Sequence, residues 1–469
     1  MKPAAAASHA SVAGDVGAAS AVTAATLALT PRPIKSTAER LAGRARLAGF
    51  VALVGLGAAV VVAGAQRLGD FDLPWHLALG RRVASGTLPF VDDFSYTLRG
   101  QRAPDEFLAD TLLYLLARVG GPLALQLLCG ACVAALAWLL AARARPARPA
   151  RPAVRPVALG FAALGILSAA PWFVVRPALF SFVLLAAFLL AIDRERAGWL
   201  PPLALVWANL HPFAVLAAPL ALAWGAWCCA YRRTLAKRAV LAAVLTAAAS
   251  LLSPFGVRLY TSSLAMSTAT LGGVRSLITE WTPTTPGFLW RYDLAIVVLA
   301  LLALAGMVAR RASAYDAFLL LVAAALGTRA VRLLPLAAII LAPMAARQLA
   351  PLLERTRATV ALVVVFALAA PVAMAAAPGA RLGRGWDDAN LPEAAIRFLA
   401  AHRPQGAPFN FLPFGGWIIW RLYPDVRVFI DGRTANLYPP AFVERYGRAE
   451  HDPAAFAALA AQYDFQWAI

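Results

Sequence analysis

Apolar runs of roughly twelve to twenty-two residues recur along the chain from about residue 47 to residue 377, separated by short stretches rich in arginine. At ~1.5 Å rise per residue, runs near twenty residues have the length of helices that cross a bilayer. They fall at roughly 47–66, 122–142, 154–172, 177–192, 199–210, 213–230, 239–253, 292–309, 315–328, 333–347 and 358–377. This pattern predicts an α-helical polytopic membrane protein of about eleven transmembrane helices. Two breaks matter: Asn209, His211 and Pro212 interrupt the long run from Trp199 to Ala230, and Arg329 with Arg332 interrupt the run from 315 to 347.

Charge sets the orientation. Arg40, Arg44 and Arg46 precede the first run, and with the N-terminus inside the cytoplasmic loops become Arg143–Arg155, Asp193–Arg196, Arg232–Arg238, Arg310–Arg311 and Arg347–Arg357. These loops are rich in basic residues, as the positive-inside rule requires. Reading Trp199–Ala230 as one span would turn YRRTLAKR outward, so a hairpin is expected there. Residues after Ala377 then lie outside, and the Ala-rich residues 1–45 form a disordered cytoplasmic tail without a signal peptide.

Composition agrees, with 61% hydrophobic residues and a mean hydropathy of +0.68. The net charge of +19 resides mainly in topology-setting loops, which argues against nucleic-acid binding. Cys129, Cys132, Cys228 and Cys229 lie within apolar runs, so neither a disulfide framework nor an aqueous metal site is indicated.

The densest chemistry lies in the external loop 67–121, which holds Asp70, Asp72, His76, Asp92, Asp93, Asp105, Glu106 and Asp110. Pro74 suits the first turn of a helix that Asp72 is placed to cap, with His76 one turn beyond. Its mix of leucine, tryptophan and arginine suggests a helix lying in the lipid interface. A second short helix, about 105–119 and ended by Gly120 and Gly121, carries Glu106 and Asp110 one turn apart.

The topology puts Trp172 and Arg176, Asn209 and His211, Glu280 and Trp281, and Arg329 and Arg332 on the same external side as this loop. Charged groups at membrane depth are costly and tend to line cavities or pathways. Each also has a structural reading: Asp92, Asp93 and Asp105 as turn or cap residues, Asn209 and His211 as backbone partners at a hairpin, Arg176 as a snorkelling side chain.

Residues 378–469 are more polar and alternate in pattern, which predicts a small extracytoplasmic α/β domain. Its helices are LPEAAIRFLAAHRP, FVERYGRAE and PAAFAALAAQY, its strands VRVFIDGR and FQWAI, and PFNFLPFGGWIIWRLYP reads as strand, turn and helix or strand. Asp431 and Arg433 stand at a strand's C-terminal end, either holding a ligand or pairing with each other at a turn. The last strand ends abruptly at Ile469, which suggests that a terminal piece follows.

Several motifs together carry a resemblance. D-x-x-x-H-L-x-x-G from Asp72, P-x-x-D-x-F-S-x-T from Pro89, E-x-L from Glu106, VRPALFS, WANLH, SPFG followed by EW, and GGWIIWRLYPDVRVFIDGR resemble bacterial polytopic membrane proteins related to the GT-C glycosyltransferases. The resemblance spans nearly all of residues 47–469. Pro74 and Trp75 stand where that pattern usually has two tryptophans, and the paired acidic motif appears only as Asp70-Phe71-Asp72.

The resemblance implies an essential acid in the first external loop and a sugar drawn from a polyprenyl-phosphate donor in the bilayer. Asp72 matches that acid by position, with Asp93 and Glu106 as the other loop acids. In an inverting transfer Asp72 is the candidate base, and Arg176, His211, Arg329 and Arg332 are candidates to hold the leaving phosphate. His76, Glu280, Asp431 and Arg433 complete the candidate substrate contacts. A divalent metal, Mg or Mn, bridging Asp72 or Asp93 to the phosphate is compatible with these carboxylates, although their spacing alone does not establish it. The expected setting is the bacterial inner membrane and the expected acceptor a cell-envelope component. Two other readings of the pattern are a transporter or flippase of lipid-linked substrates and a non-catalytic envelope-assembly protein.

Overall fold

The computed structural model describes residues 37–88, 90–98, 106–145, 154–269, 279–310, 312–353, 357–377 and 379–469. Most of the expected N-terminal tail, Asp105 and part of the loop 143–155 lie outside the described residues.

The chain runs through α1 (Thr37–Gly64), α2 (Leu73–Ala84), α3 (Phe107–Ala144), α4 (Val154–Ala169), α5 (Ala178–Asp193), α6 (Leu200–Leu210) and α7 (Ala217–Tyr231). It continues through α8 (Arg233–Ser250), α9 (Arg258–Ala269), α10 (Pro286–Tyr292), α11 (Leu294–Arg310), α12 (Ala314–Arg329), α13 (Leu334–Leu353) and α14 (Arg357–Ala376). Each expected apolar run coincides with a helix, and α1 begins at Thr37, inside the stretch expected to be tail.

Eleven crossings are more than helix length alone supports. Among the described residues five helices are long and apolar enough to span a bilayer alone, or six if α10 and α11, bent by 108° at their junction, are taken as one span. Helices such as α6, with 11 residues, reach only about half the hydrocarbon thickness. The bundle is therefore a membrane domain that combines full-length helices with shorter ones.

Burial ranks these helices. The apolar window of α13 is 89% buried and those of α1 and α14 are 33% buried, so α13 is the central post while α1 and α14 present a face to lipid. The expected hairpin is present: Glu195, before α6, pairs with Arg232, after α7, while Asn209 at the end of α6 donates to the carbonyl of Leu252 beyond α8. Thus α6, α7 and α8 run up, down and up.

The basic loops gather at one end of the bundle. There Asp193 accepts from Arg143 Nε at 2.8 Å and from Arg347 Nη1 at 2.9 Å, and Arg194 donates to the carbonyl of Ala142. The acids and cations expected to share a face gather at the other end.

Two corrections concern the polar segments. First, α2 is not an interfacial helix: Leu73 to Gly80 are all buried, because its apolar and small residues surround the axis and pack against α3 on one side and the C-terminal region on the other. A Cβ at Gly80 would stand 2.0 Å from the Asp110 carbonyl oxygen, so glycine is what lets α2 cross α3 this closely. In α3 the expected break is present, with Gly121 non-helical and Pro122 beginning the second half.

Second, the C-terminal region has a core of its own around Phe429, Phe442 and Tyr446 and also packs against the loop. It contains α15 (Glu393–His402), β1 (Ala407–Phe409), α16 (Gly415–Leu422), α17 (Thr434–Leu437), α18 (Pro440–Ala449), α19 (Pro453–Tyr463) and β2 (Phe465–Ala468). Strands β1 and β2 form a two-stranded parallel sheet. The expected strand VRVFIDGR is buried but makes only a bridge from Val428 to Ser95, and the Asn410 side chain accepts from Phe429 N where a partner strand would stand. Trp75, Ala78, Leu79, Phe94 and Phe107 of the loop share one apolar core with Ile396, Trp417 and Ile418.

Candidate functional site

The start of α2 builds the site. Asp70 Oδ1 accepts from Asp72 N at 2.9 Å and from Leu73 N at 3.1 Å, so Asp70, and not Asp72 as expected, satisfies the orphan amides at this helix start. Asp72 makes no side-chain cap bond. Its carboxylate is consequently available for other contacts.

Asp72 Oδ1 accepts from Trp75 Nε1 at 3.2 Å, and Asp72 Oδ2 lies 3.2 Å from Arg176 Nη1. Arg176, in the turn between α4 and α5, also donates through Nε to Asp70 Oδ2 at 2.6 Å and through Nη1 to Glu280 Oε1 at 3.0 Å. One guanidinium thus faces three carboxylates from two distant parts of the chain. Burial pushes the Asp72 carboxyl up to about 6; Arg176 pulls it down, and Asp70 and Glu280 add to the rise. Glu280, against the cost of its own burial, is held below the usual carboxylate range by Arg176 and Arg332.

Gly432 closes over this acid. A Cβ placed there would lie 2.0 Å from Asp72 Oδ1 and 3.4 Å from Trp75 Nε1. The FIDGR turn of the C-terminal region therefore forms the wall against which the Asp72 carboxylate rests. Sequence inspection noticed FIDGR but not this glycine.

Arg332, in the turn between α12 and α13, stacks over Trp281 with its guanidinium carbon 4.3 Å from the ring centroid, and lies 5.9 Å from that of Phe213. It makes no ion pair among the described residues, and Glu280, Glu106 and Asp72 all act on its charge. A backbone bond from Val331 N to the Thr282 carbonyl ties its turn to that of Glu280.

Beyond Asp72, His76 Nδ1 lies 2.6 Å from Asp110 Oδ1 and 3.7 Å from Glu106 Oε2. His211 Nδ1 accepts from Phe213 N at 3.1 Å, which leaves Nε2 to carry the proton that faces Glu106 Oε1 at 3.3 Å. Burial holds both imidazoles well below their usual pKa, so both are neutral at pH 7. Asp110 is fully buried and its Oδ2 has no hydrogen-bond partner. One ligand atom each from His76, Glu106 and Asp110 lie within 4.8 Å of one another, a donor set able to hold a metal ion.

Other expected residues stand apart. Asp93 is engaged by Arg82 and by Tyr423 OH at 2.8 Å, away from Asp72. Asp431 and Arg433 are 0% and 2% exposed and joined by two side-chain hydrogen bonds of 2.7 and 2.6 Å and by one from Arg433 N at 3.0 Å, with Asp92 closing the far side of Arg433. Of the two readings of that pair the turn is the one observed, and it supports Gly432 between them. Asn209 serves backbone carbonyls, its structural reading. Arg329 ends α12, half-buried.

Next to the Glu106–His211 contact lies a mainly apolar cleft of about 250 Å³, lined by Val83, Leu88, Phe107, Leu108, Asn209 and Phe255 among others. A polytopic helical bundle with charged turns gathered at one end under a small C-terminal cover is the class of protein that these features define. The solved structure of the Archaeoglobus fulgidus oligosaccharyltransferase in its apo form is similar to it, with a TM-score of 0.55 over 88% of this chain and 69% of that one at 14% identity. The likeness is one of fold. No family profile and no curated protein sequence matches it.

Proposed function

We propose that this protein is an integral membrane glycosyltransferase that moves a sugar from a polyprenyl-phosphate donor to a hydroxyl of a cell-envelope acceptor. The observation that carries the reading is Asp72: a carboxylate relieved of capping, fixed by Trp75 and Arg176, with a pKa of about 6. A general base works best when its pKa is near the working pH.

In the reaction Asp72 takes the proton of the acceptor hydroxyl as its oxygen attacks the anomeric carbon. The bond from that carbon to the phosphate oxygen breaks, and the electron pair leaves with the lipid phosphate. Arg332 is the cation suited to that growing charge, since Arg176 is already shared by Asp70, Asp72 and Glu280. The cleft beside Glu106 suits the hydrocarbon next to the phosphate. Likeness to an oligosaccharyltransferase supports the fold of this reading.

The test is mass spectrometry of cell-envelope glycans in cells carrying the wild-type protein, Asp72→Asn or no protein. Loss of the same glycan in the last two, with the variant still inserted in the membrane, is the expected result. Unchanged glycans with Asp72→Asn overturn the assignment of the base.

A further inference from the structure

We propose that His76, Glu106 and Asp110 bind one divalent transition-metal ion, which pins α2 to the start of α3 behind the Asp72 cluster. The proposal does not depend on the glycosyl-transfer reading, and it moves the expected metal from Asp72 or Asp93 to a different place.

Three observations carry it. The ligand atoms of the three side chains lie within 4.8 Å of one another, with His76 Nδ1 to Asp110 Oδ1 at 2.6 Å and His76 Nδ1 to Glu106 Oε2 at 3.7 Å. Donors about 2.0–2.2 Å from a common ion stand roughly 3 Å apart, so sub-ångström shifts seat one. Second, Asp110 is fully buried, pairs with no lysine or arginine among the described residues, and leaves Oδ2 without a partner. A buried carboxylate without compensation is expensive, and a hydrogen bond from His76 serves only Oδ1. An ion supplies both the charge and the coordination.

Third, the surroundings orient the ligands. His211 is fixed by Phe213 N so that its Nε2–H meets Glu106 Oε1 at 3.3 Å, leaving Oε2 to face His76. Outer contacts of this kind orient metal-binding carboxylates. One imidazole with two carboxylates suits Zn²⁺, Mn²⁺ or Fe²⁺ and disfavours Ca²⁺, which prefers oxygen alone.

The experiment uses the full chain in detergent, stripped with a chelator and titrated with Co²⁺ alone as the probe. Expected are one Co²⁺ per chain with visible bands of a nitrogen–oxygen site, and affinity reduced more than about tenfold by His76→Gln and by Asp110→Asn. Asp72→Asn is expected to bind Co²⁺ as the wild type does. If either ligand variant fails to fold, pulsed electron paramagnetic resonance of Mn²⁺ in the wild type reads the same point through coupling to an imidazole nitrogen. Folded wild-type protein that takes up no Co²⁺, undiminished binding in both folded variants, or Mn²⁺ without nitrogen coupling overturns the site. Asp72 glycan results do not bear on it, so the two readings fail separately.

Discussion

Replacing Gly432 by alanine isolates what the C-terminal cover does for Asp72. The added methyl stands 2.0 Å from Asp72 Oδ1, whereas ordinary contact needs about 3.5 Å, so the carboxylate has to retreat by roughly 1.5 Å. That displacement breaks the 3.2 Å bond from Trp75 and disturbs the 3.2 Å contact with Arg176. Both partners lower the Asp72 pKa. A hydrogen bond to a charged group is worth about 1.5–3 kcal/mol, so losing one raises the pKa by about 1–2 units. Starting from about 6, the acid becomes half or more protonated at neutral pH. The assay is labelling of Asp72 by a water-soluble carbodiimide, which reacts with the protonated carboxyl, followed by peptide mass spectrometry as pH is varied. A midpoint near 6 in the wild type and at least one unit higher in Gly432→Ala is expected. An unmoved midpoint in a folded variant refutes the argument that Gly432 positions Asp72.

Two further substitutions use the same labelling, and a third tests the cover itself. Arg176→Gln removes a charge that lowers the Asp72 pKa and shifts the midpoint up, whereas Glu280→Gln removes one that raises it and shifts the midpoint down; shifts of the same sign contradict the cluster. The pH dependence of stability follows from the direction: a carboxyl raised to about 6 favours the folded state at low pH, and that contribution fades as pH rises from about 4 through 6. Arg433→Met leaves the buried Asp431 and Asp92 unpaired, which costs about 3–5 kcal/mol and lowers the apparent Tm in detergent; an unchanged Tm means that the turn is held by packing alone.

Much of this was legible because a bilayer makes polar residues conspicuous. Asp72, Arg176, His211, Glu280 and Arg332 interrupt an apolar pattern, and they converge at one end of the bundle as that pattern predicted. The pairing of Asp431 with Arg433 was one of two readings the sequence left open, but the distant partners were hidden: Asp92 meets Arg433 across 341 positions of sequence, Tyr423 meets Asp93 across 330, and no local pattern tells a paired acid from a free one. Asp70 took the capping role from Asp72 because two carboxylates two residues apart compete for the same amides, and backbone geometry decides between them. The burial of α2 depended on a cover folded from residues some 300 positions later. Gly432 acts through atoms it lacks, which sequence chemistry cannot weigh.

Under the proposed reaction, charge balance calls for two arginines at this end of the bundle. Arg176 faces Asp70, Asp72 and Glu280, so its immediate neighbourhood carries two negative charges more than positive when all three acids are ionised. An anionic phosphate entering against Arg176 alone meets that excess and drives Asp72 toward protonation, which disables it as a base. Arg332 stands outside the cluster on Trp281, unpaired among the described residues yet close enough to feel Glu280 and Asp72. It offers its charge to an incoming anion without withdrawing one from Asp72. In the proposed transfer Arg176 would keep the base fixed and partly ionised while Arg332 would receive the leaving group, because three acids already take up the charge of Arg176.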